Sequence, residues 1–190
     1  MADPRSVETY RSLRETIKHA AGEKPLASVL LVDVDRKGPS EVARRLAEVF
    51  GVARERCVLI DTNFRNPSDG EPGLSDLTLD PTTQLDLALT DGLAVVRAGT
   101  AGNPDLLSSK SFPGALASIV EQFDYAIVAC DGYPASADAL AVGPLVDAVI
   151  LVISAGVTGR EPAIQARDAL ERLGVRILGM VMIERPRRWF

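Results

Sequence analysis

The apolar positions of this chain alternate between helical spacing and short unbroken runs. Residues 4 to 20 carry one apolar residue per helical turn, at Val7, Tyr10, Leu13 and Ile17. The unbroken run SVLLV at 28–32 predicts a strand, a polar loop follows, and the apolar positions from 42 to 50 return to helical spacing. This part of the chain therefore predicts a helix, a strand, a loop and a second helix.

Five further apolar runs repeat the alternation. They lie at 58–60, 93–96, 125–129, 148–153 and 176–183. They are rich in β-branched residues and uncharged except for Arg176, a pattern typical of strands covered on both faces. A helical pattern at 161–173 separates the last two runs, and the stretch 62–92 predicts a loop with short helices. Strands that alternate with helices predict an α/β fold with a doubly wound, mainly parallel sheet flanked by helices.

Length and composition bound the possibilities. A chain of 190 residues with 46% hydrophobic residues can bury one substantial core, so we expect a single domain over 1–190. The net charge of -5 argues against nucleic-acid binding, which depends on neutralising phosphates. No run approaches the roughly 20 apolar residues of a membrane span and no secretion signal is visible, which predicts a cytoplasmic protein. Cys57 and Cys130 lack the spacing of a zinc site and predict buried thiols.

Several motifs occur in a characteristic order. After the strand, loop and helix at 28–50 come VLIDTNFRNP at 58–67, GNPDLLSS at 102–109, FDYAIV at 123–128 and VDAVILVISAGVTGRE at 146–161. In this order they resemble the bacterial tyrosine kinases (BY-kinases), the Wzc/CpsD/CapB-like cytoplasmic domains or partners of polysaccharide co-polymerases. That family is a branch of the ParA/MinD group of ATPases, so the resemblance implies a P-loop NTPase-like, Rossmann-like three-layer sandwich.

The N-terminal helix carries another element of the resemblance. Glu8, Arg11 and Arg14 reproduce the family's E-x-x-R-x-x-R element, which in the family packs one subunit against its neighbour in a ring. We therefore expect residues 1–22 to form an oligomerisation helix, although three charges on one helical stripe are by themselves typical of a solvated face. The resemblance also implies a Wzc-like membrane co-polymerase as partner, a homo-oligomer or a hetero-oligomer with a related kinase, and a peripheral position at the inner face of the cell membrane.

The phosphate-binding loop is where the sequence departs from the family. Such a loop needs glycines whose N–H groups surround the phosphates, a lysine that reaches the β and γ phosphates, and a hydroxyl for magnesium. Aligned through the following helix, the lysine falls on Pro39 and the threonine on Glu41, so that Ser40 alone is kept. The degenerate loop comprises Arg36, Lys37, Gly38, Pro39, Ser40 and Glu41. Asp33, Asp35 and Glu41 add negative charge where a polyanion would bind.

The other positions of the family's nucleotide site change in the same direction. In VLIDTNFRNP the first acid is kept as Asp61, but the second is Asn63, which brings no charge to a hard cation. The acid that ends a later strand in the family falls on Ala129, and Asp131, two positions on, could substitute for it. The adenine-reading asparagine falls on Ile183. We therefore expect no catalytic residue, no metal site and no cofactor, with binding of ATP or ADP and Mg as the open alternative.

The C-terminus lacks the tyrosine cluster that BY-kinases present as mutual substrates. The chain instead ends in a basic and aromatic tail at 185–190, formed by Arg185, Pro186, Arg187, Arg188, Trp189 and Phe190. Such a tail suits an acidic membrane surface or a partner's groove, and a short solvated tail is the simpler interpretation. The single histidine, His19, has no Ser or Cys partner in a recognisable motif, so we do not expect acid–base catalysis by it.

These departures favour a catalytically inactive member of the family. The leading hypothesis is a pseudokinase that acts through protein contacts in exopolysaccharide or capsule polymerisation and export. An alternative is a divergent ATP-binding tyrosine kinase or ATPase of the same pathway, in which Arg36 or Lys37 replaces the lysine and Asp131 replaces the acid. A third hypothesis is a ParA/MinD-like positioning factor, which the acidic balance and the altered loop disfavour.

Overall fold

The computed structural model describes residues 4–20, 26–34, 40–68 and 70–184, with the side chains of residues 4–6 left aside. Three of the sequence predictions lie outside these ranges, wholly or in part. They concern the loop residues Asp35, Arg36, Lys37, Gly38 and Pro39, the tail at 185–190, and the two ends of the predicted helix 1–22 at 1–3 and 21–22. All structural statements below concern the described residues.

Six parallel strands form one sheet, as the apolar runs predict. The strands are β1 Ser28–Asp33, β2 Cys57–Asp61, β3 Leu93–Val96, β4 Tyr125–Cys130, β5 Ala148–Ser154 and β6 Ile177–Ile183. Their order across the sheet is β3-β2-β4-β1-β5-β6, and every neighbouring pair is parallel. From β1 the chain forms β2 and β3 on one side, returns to place β4 between β2 and β1, and adds β5 and β6 on the other side, which is a doubly wound arrangement. The predicted fold class is confirmed.

Helices cover both faces of the sheet. They are α1 Pro4–Ala20, α2 Glu41–Val52, α3 Leu74–Leu79, α4 Phe112–Val120, α5 Asp138–Val142 and α6 Arg160–Arg172, with short 3-10 turns at Pro104–Ser108 and Gly143–Leu145. The irregular stretch 62–92 holds α3 between loops, as expected. Each parallel connection needs a crossover, and the helices supply it.

Two apolar cores lie on opposite faces of the sheet. On one face, α1 and α2 pack against the strands through Ile17 and Phe50, and the Phe50 ring lies 4.6 Å from the Tyr125 ring between centroids. On the other face, α3 to α6 pack around Phe64 and Phe112, whose rings meet edge to face at 6.0 Å. The apolar stripe predicted for the first helix is thus buried against the sheet.

Both cysteines are buried, which confirms the prediction of buried thiols. Cys57 lies in the core beneath α2 and Cys130 in the core on the opposite face. Burial, together with the negative charge of nearby Glu55, raises the pKa of Cys57 to about 12. Burial also raises the pKa of Cys130 well above that of a free thiol. Both sulfurs therefore stay protonated and unreactive at neutral pH.

The prediction that every strand is covered on both faces is wrong for the last one. Strand β6 lies at the edge of the sheet, and the side chains of Met180 and Met182 are 49% and 66% exposed. At the opposite edge, Val95 of β3 is 51% exposed. An apolar run indicates a strand rich in hydrophobic residues, but it does not indicate whether that strand lies in the middle or at the edge of the sheet.

Candidate functional site

The candidate site lies where three neighbouring strands reach the carboxyl edge of the sheet. Strands β2, β4 and β1 lie side by side, and Asp61 at the end of β2 is in register with Ala129 of β4. Asp33 ends β1, and Asp131 follows β4 directly. In open α/β sheets, ligands bind at this edge, next to the point where the strand order reverses. The sequence motifs of the family's nucleotide site therefore meet in one place.

Asn63 connects the two nearest carboxylates. Its main-chain N–H donates a hydrogen bond to Asp61 Oδ1 at 2.9 Å, and its side-chain Nδ2 donates to Asp131 Oδ1 at 3.2 Å. Both Asn63 and Asp131 are almost fully buried. The direction of Asp131, which the sequence left open, is therefore toward Asn63. An acid at position 63 would place a second carboxylate against Asp131, whereas the amide supplies a donor.

Arg65 supplies the positive charge of the cluster. Its Nη1 lies 2.5 Å from Asp138 Oδ2 and 3.7 Å from Asp131 Oδ2. Both carboxylates are buried, and the guanidinium is partly exposed at the surface of the edge. The Asp138 main-chain N–H also donates to the Ser136 hydroxyl at 3.2 Å. One guanidinium thus lies between two buried acids that come from different parts of the chain.

The start of α2 is closed by its own side chains. Ser40, the residue kept from the phosphate loop, caps the helix, since the Ala43 N–H donates to Ser40 Oγ at 3.2 Å. Glu41 Oε1 accepts hydrogen bonds from Arg44 at 2.7 Å and Arg45 at 2.9 Å. Burial would raise the pKa of Glu41, but these two arginines outweigh it and lower the pKa. Glu41 is therefore a fixed negative charge in the first turn of α2.

Asp61 occupies a less favourable environment than the other acids. Burial raises the pKa of Asp61 above the usual 3.8, and the Asp131 carboxylate raises it further, while the hydrogen bond from the Asn63 N–H opposes the shift. Close by, Asn63 Oδ1 is buried and receives no hydrogen bond from the described residues. An unsatisfied buried acceptor is uncommon in folded proteins. Two groups of the site, the Asp61 carboxylate and the Asn63 amide oxygen, are therefore buried without full compensation by hydrogen bonds from the described residues.

We expect Asp61→Asn to stabilise the protein at neutral pH. Protonated Asp61 contributes stability that is fully present below its unfolded pKa of 3.8 and is lost as the pH rises through its raised folded pKa. The amide of the variant does not ionise, so this contribution to stability is not lost at neutral pH. The melting temperature of the variant should therefore exceed that of the wild type by a few degrees at pH 7. The gain should disappear below pH 3.8.

Thermal unfolding followed by circular dichroism across pH checks this expectation. The exposed Asp86, replaced in the same way, is the matched control, and we expect no comparable gain there. A lower melting temperature for Asp61→Asn at pH 7 would show that the ionised carboxylate stabilises the fold.

The structure brings the predicted oligomerisation residues together but gives them different surroundings. Glu8, Arg11 and Arg14 line one open depression between α1 and the end of α2. Glu8 and Arg11 are exposed and form a long ion pair of 3.5 Å. Arg14 is half-buried, and its guanidinium donates to the Val49 carbonyl at 2.9 Å. Arg14 therefore anchors α1 to α2 within the same chain, and the exposed part of the surface is formed by Glu8 and Arg11.

Ile183 and His19 lie away from the cluster of acids. Ile183 is the last residue of β6 and packs on the α1 side of the sheet, and its carbonyl accepts a hydrogen bond from the Ala155 N–H at 2.8 Å. His19 lies in the last turn of α1, where its Nδ1 is 2.7 Å from the Glu15 carbonyl. That the adenine-reading position falls on Ile183 stays a prediction.

Two general features of the described residues bear on function. No three His, Cys, Asp or Glu side chains within the described ranges are placed to hold a metal ion together. None of the described helices is both long enough and apolar enough to cross a bilayer. The acids at the carboxyl edge thus lie close together, but Asp131 accepts a hydrogen bond from Asn63 and Asp138 pairs with Arg65. Their carboxylate oxygens do not surround a common position for a cation.

Sequence reasoning missed two members of the cluster. Arg65 belongs to the VLIDTNFRNP motif but received no role, and Asp138 was not among the candidate site residues. A usable signal existed, since Asp138 is a charge within an otherwise apolar and small-residue stretch, and an isolated buried charge needs a partner. The identity of that partner depends on the fold, because Arg65 and Asp138 are 73 positions apart.

Sequence comparison finds relatives along nearly the whole chain. The tyrosine-protein kinase YwqD of Bacillus subtilis is 29% identical over 198 residues, an alignment that covers 96% of this chain and 83% of that protein. The succinoglycan biosynthesis transport protein ExoP of Rhizobium meliloti is 25% identical over 205 residues, covering 94% of this chain but 25% of ExoP. No protein-family model matches the chain.

Solved structures with the same fold agree with these relatives. The kinase domain of the Escherichia coli tyrosine kinase ETK has a TM-score of 0.83 at 24% identity, covering 97% of this chain and 77% of that domain. The septum site-determining protein MinD of Pyrococcus horikoshii, complexed with Mg-ADP, is more distant, with a TM-score of 0.59 at 13% identity over 82% of this chain and 69% of MinD. Shared motifs, relatives of matching length and a shared sheet lead to one conclusion: the chain is similar to bacterial tyrosine-protein kinases along nearly its whole length and has the phosphate-loop fold of their kinase domains.

Proposed function

We propose that this chain is a catalytically inactive member of its family, which acts through protein contacts in exopolysaccharide or capsule polymerisation and export. The observation that carries the proposal is the cluster at the carboxyl edge. There, Asn63 and Arg65 bind the carboxylates of Asp131 and Asp138. The relatives support the pathway, since ExoP is named for succinoglycan transport and YwqD for tyrosine kinase activity.

The described side chains do not fit the magnesium and phosphate chemistry of the family. A hard cation needs carboxylate or hydroxyl oxygens that converge on it. Here a guanidinium already lies between Asp131 and Asp138, and the Ser40 hydroxyl caps α2. Glu41 places a fixed negative charge beside the helix N-terminus, where phosphates would bind. We therefore derive no reaction step through Mg-ATP.

Thermal stabilisation and turnover test this proposal together. A ligand that binds only the folded protein must raise the melting temperature, and we expect millimolar Mg-ATP to leave it unchanged. We also expect no release of ADP above background. The proposal fails if the chain hydrolyses Mg-ATP and Asp61→Ala abolishes the activity while Asp168→Ala, a change on the outer helix α6, leaves it intact. A melting-temperature rise without turnover would instead favour a nucleotide-binding protein that lacks catalysis.

The protein contacts of this proposal involve the surface formed by Glu8 and Arg11. A Wzc-like membrane co-polymerase, a second copy of the chain or a related kinase would bind there, and such binding would link assembly to the control of polysaccharide length. The charges support contact with a partner, because an exposed pair of opposite sign contributes little to the fold itself. The partner would also hold the chain at the inner face of the membrane.

Arg11 and Arg14 should differ sharply when each is replaced by alanine. Arg14→Ala removes the donor to the Val49 carbonyl and should lower the free energy of unfolding by about 1–2 kcal/mol. Arg11→Ala should leave stability unchanged and weaken assembly, because its side chain is exposed. Urea unfolding measures the first effect and analytical ultracentrifugation the second. Equal losses of stability in both variants would contradict the division of roles.

A further inference from the structure

Strand β6 presents an open edge. It pairs with β5 and with no other described strand. Its sequence ILGMVMI contains neither charge nor proline, the residues with which natural proteins usually protect an edge. A register shift in its pairing with β5 occurs only near its start, so that Gly179 to Ile183 run in regular register beside Ile150 to Ser154. The regular part of β6 can therefore accept another strand.

The outer groups of this edge belong to Met180 and Met182. The Ile183 carbonyl points toward β5, where it accepts a hydrogen bond from the Ala155 N–H. Main-chain groups alternate in direction along a strand, so those of Met180 and Met182 point away from β5. Their side chains are about half and two-thirds exposed, and Met180 lines a shallow depression with Ile153, Ala163 and Ile164, bordered by Thr158, Arg160 and Arg167. Within the described residues, no further strand pairs with the outer edge of β6.

The charges at the two ends of β6 indicate the direction of a partner strand. Arg176 precedes the strand and Glu184 follows it, and both are exposed. If two copies of β6 pair antiparallel, Arg176 of each copy lies next to Glu184 of the other. A parallel arrangement would place like charges side by side, which is destabilising. The antiparallel arrangement also has twofold symmetry, the commonest symmetry of soluble homo-oligomers.

We propose that β6 is the contact strand of a homodimer, in which the edges of two copies pair antiparallel about a twofold axis and join their sheets into one. The methionines of the two copies cover each other on the α6 side of the joined sheet. This contact uses residues different from the Glu8 and Arg11 surface, and it does not depend on whether the chain binds nucleotide.

An edge-blocking variant tests the contact. Met182→Lys places a charge on the exposed side of β6, and Val95→Lys places the same charge on the exposed β3 edge as a matched control. We expect the wild type and Val95→Lys to sediment as dimers, and Met182→Lys to raise the dimer Kd by roughly tenfold or more. Circular dichroism verifies that each variant is folded. A wild type that stays monomeric at about 100 μM, or a dimer unaffected by Met182→Lys, overturns the proposal.

A charge exchange tests the direction of pairing. Arg176→Glu and Glu184→Arg each place like charges together across an antiparallel edge, so each should weaken the dimer. The double variant restores opposite charges and should restore the dimer. This recovery separates a contact between copies from the intrachain role of Arg176, whose guanidinium donates to the Ala20 carbonyl. Failure of the double variant to recover overturns the proposal.

Discussion

Replacing Arg65 with alanine is expected to lower the free energy of unfolding by about 2–3 kcal/mol at neutral pH. The change removes the guanidinium 2.5 Å from Asp138 and 3.7 Å from Asp131, and both acids are buried. Removing one partner of a buried ion pair leaves an uncompensated charge. The partial exposure of Arg65 lets water reach the vacated position, so we place the loss below that of a fully buried pair.

Urea unfolding of Arg65→Ala measures this loss, and two further variants establish its cause. Arg167→Ala removes an arginine from an exposed pair with Asp168 and should change stability little. Adding Asp138→Asn to Arg65→Ala removes one of the uncompensated charges and should recover part of the loss. An Arg65→Ala variant as stable as the wild type would mean that the guanidinium contributes nothing to the cluster.

Restoring the family's second acid through Asn63→Asp should destabilise the protein by about 2–4 kcal/mol at pH 7. Asn63 is 3% exposed, and its amide donates to Asp131 Oδ1 at 3.2 Å. The new carboxylate would lose that hydrogen bond and face Asp131 as a like charge. Because burial favours the protonated form of such a carboxyl, the loss should shrink as the pH falls.

Two comparisons separate this effect from a general intolerance of aspartate in the loop. Asn66→Asp, three positions along and exposed, should have little effect on stability. Combining Asn63→Asp with Asp131→Asn exchanges the acid and the amide, so the hydrogen bond can form in the opposite sense and much of the stability should return. If Asn63→Asp alone left the stability unchanged, the hydrogen bond from Asn63 to Asp131 would contribute nothing to the fold.

The strands and helices could be predicted because their signal is local. The run at 93–96 coincides with β3, and the helical pattern at 161–173 differs from α6 by one residue at each end. A buried parallel strand needs a continuous apolar run and a covering helix needs an apolar stripe, and both are visible in a few neighbouring residues. The position of β6 at the edge of the sheet has no such local signal, because it depends on the order in which all six strands pair.

The sequence predicted part of the candidate site's membership and little of its contacts. The motifs identified Asp61, Asn63 and Asp131, and the fold brings all three to one edge. The pairing of Arg65 with Asp138 joins two loops that only the completed sheet brings together. Arg14 could not be assigned from its position along the helix. Its spacing with Glu8 and Arg11 is typical of a solvated face, but its guanidinium donates to a carbonyl of α2.

The distant likeness to MinD bears on the third hypothesis. A TM-score of 0.59 at 13% identity establishes a shared fold and leaves the activity of this chain undetermined. A positioning factor would need a nucleotide-dependent change of state, so the Mg-ATP measurement also tests that hypothesis. Specific binding of anionic vesicles that changes with nucleotide would favour it over a scaffold.

The cluster at the carboxyl edge is separate from both apolar cores. Asn63, Arg65 and Asp131 bond mainly to one another and to Asp61 and Asp138, while the packing that holds the helices to the sheet lies on either side of them. A change at this edge should therefore cost stability through the hydrogen bonds and ion pairs of the cluster, while the side-chain packing of the two cores stays as it is.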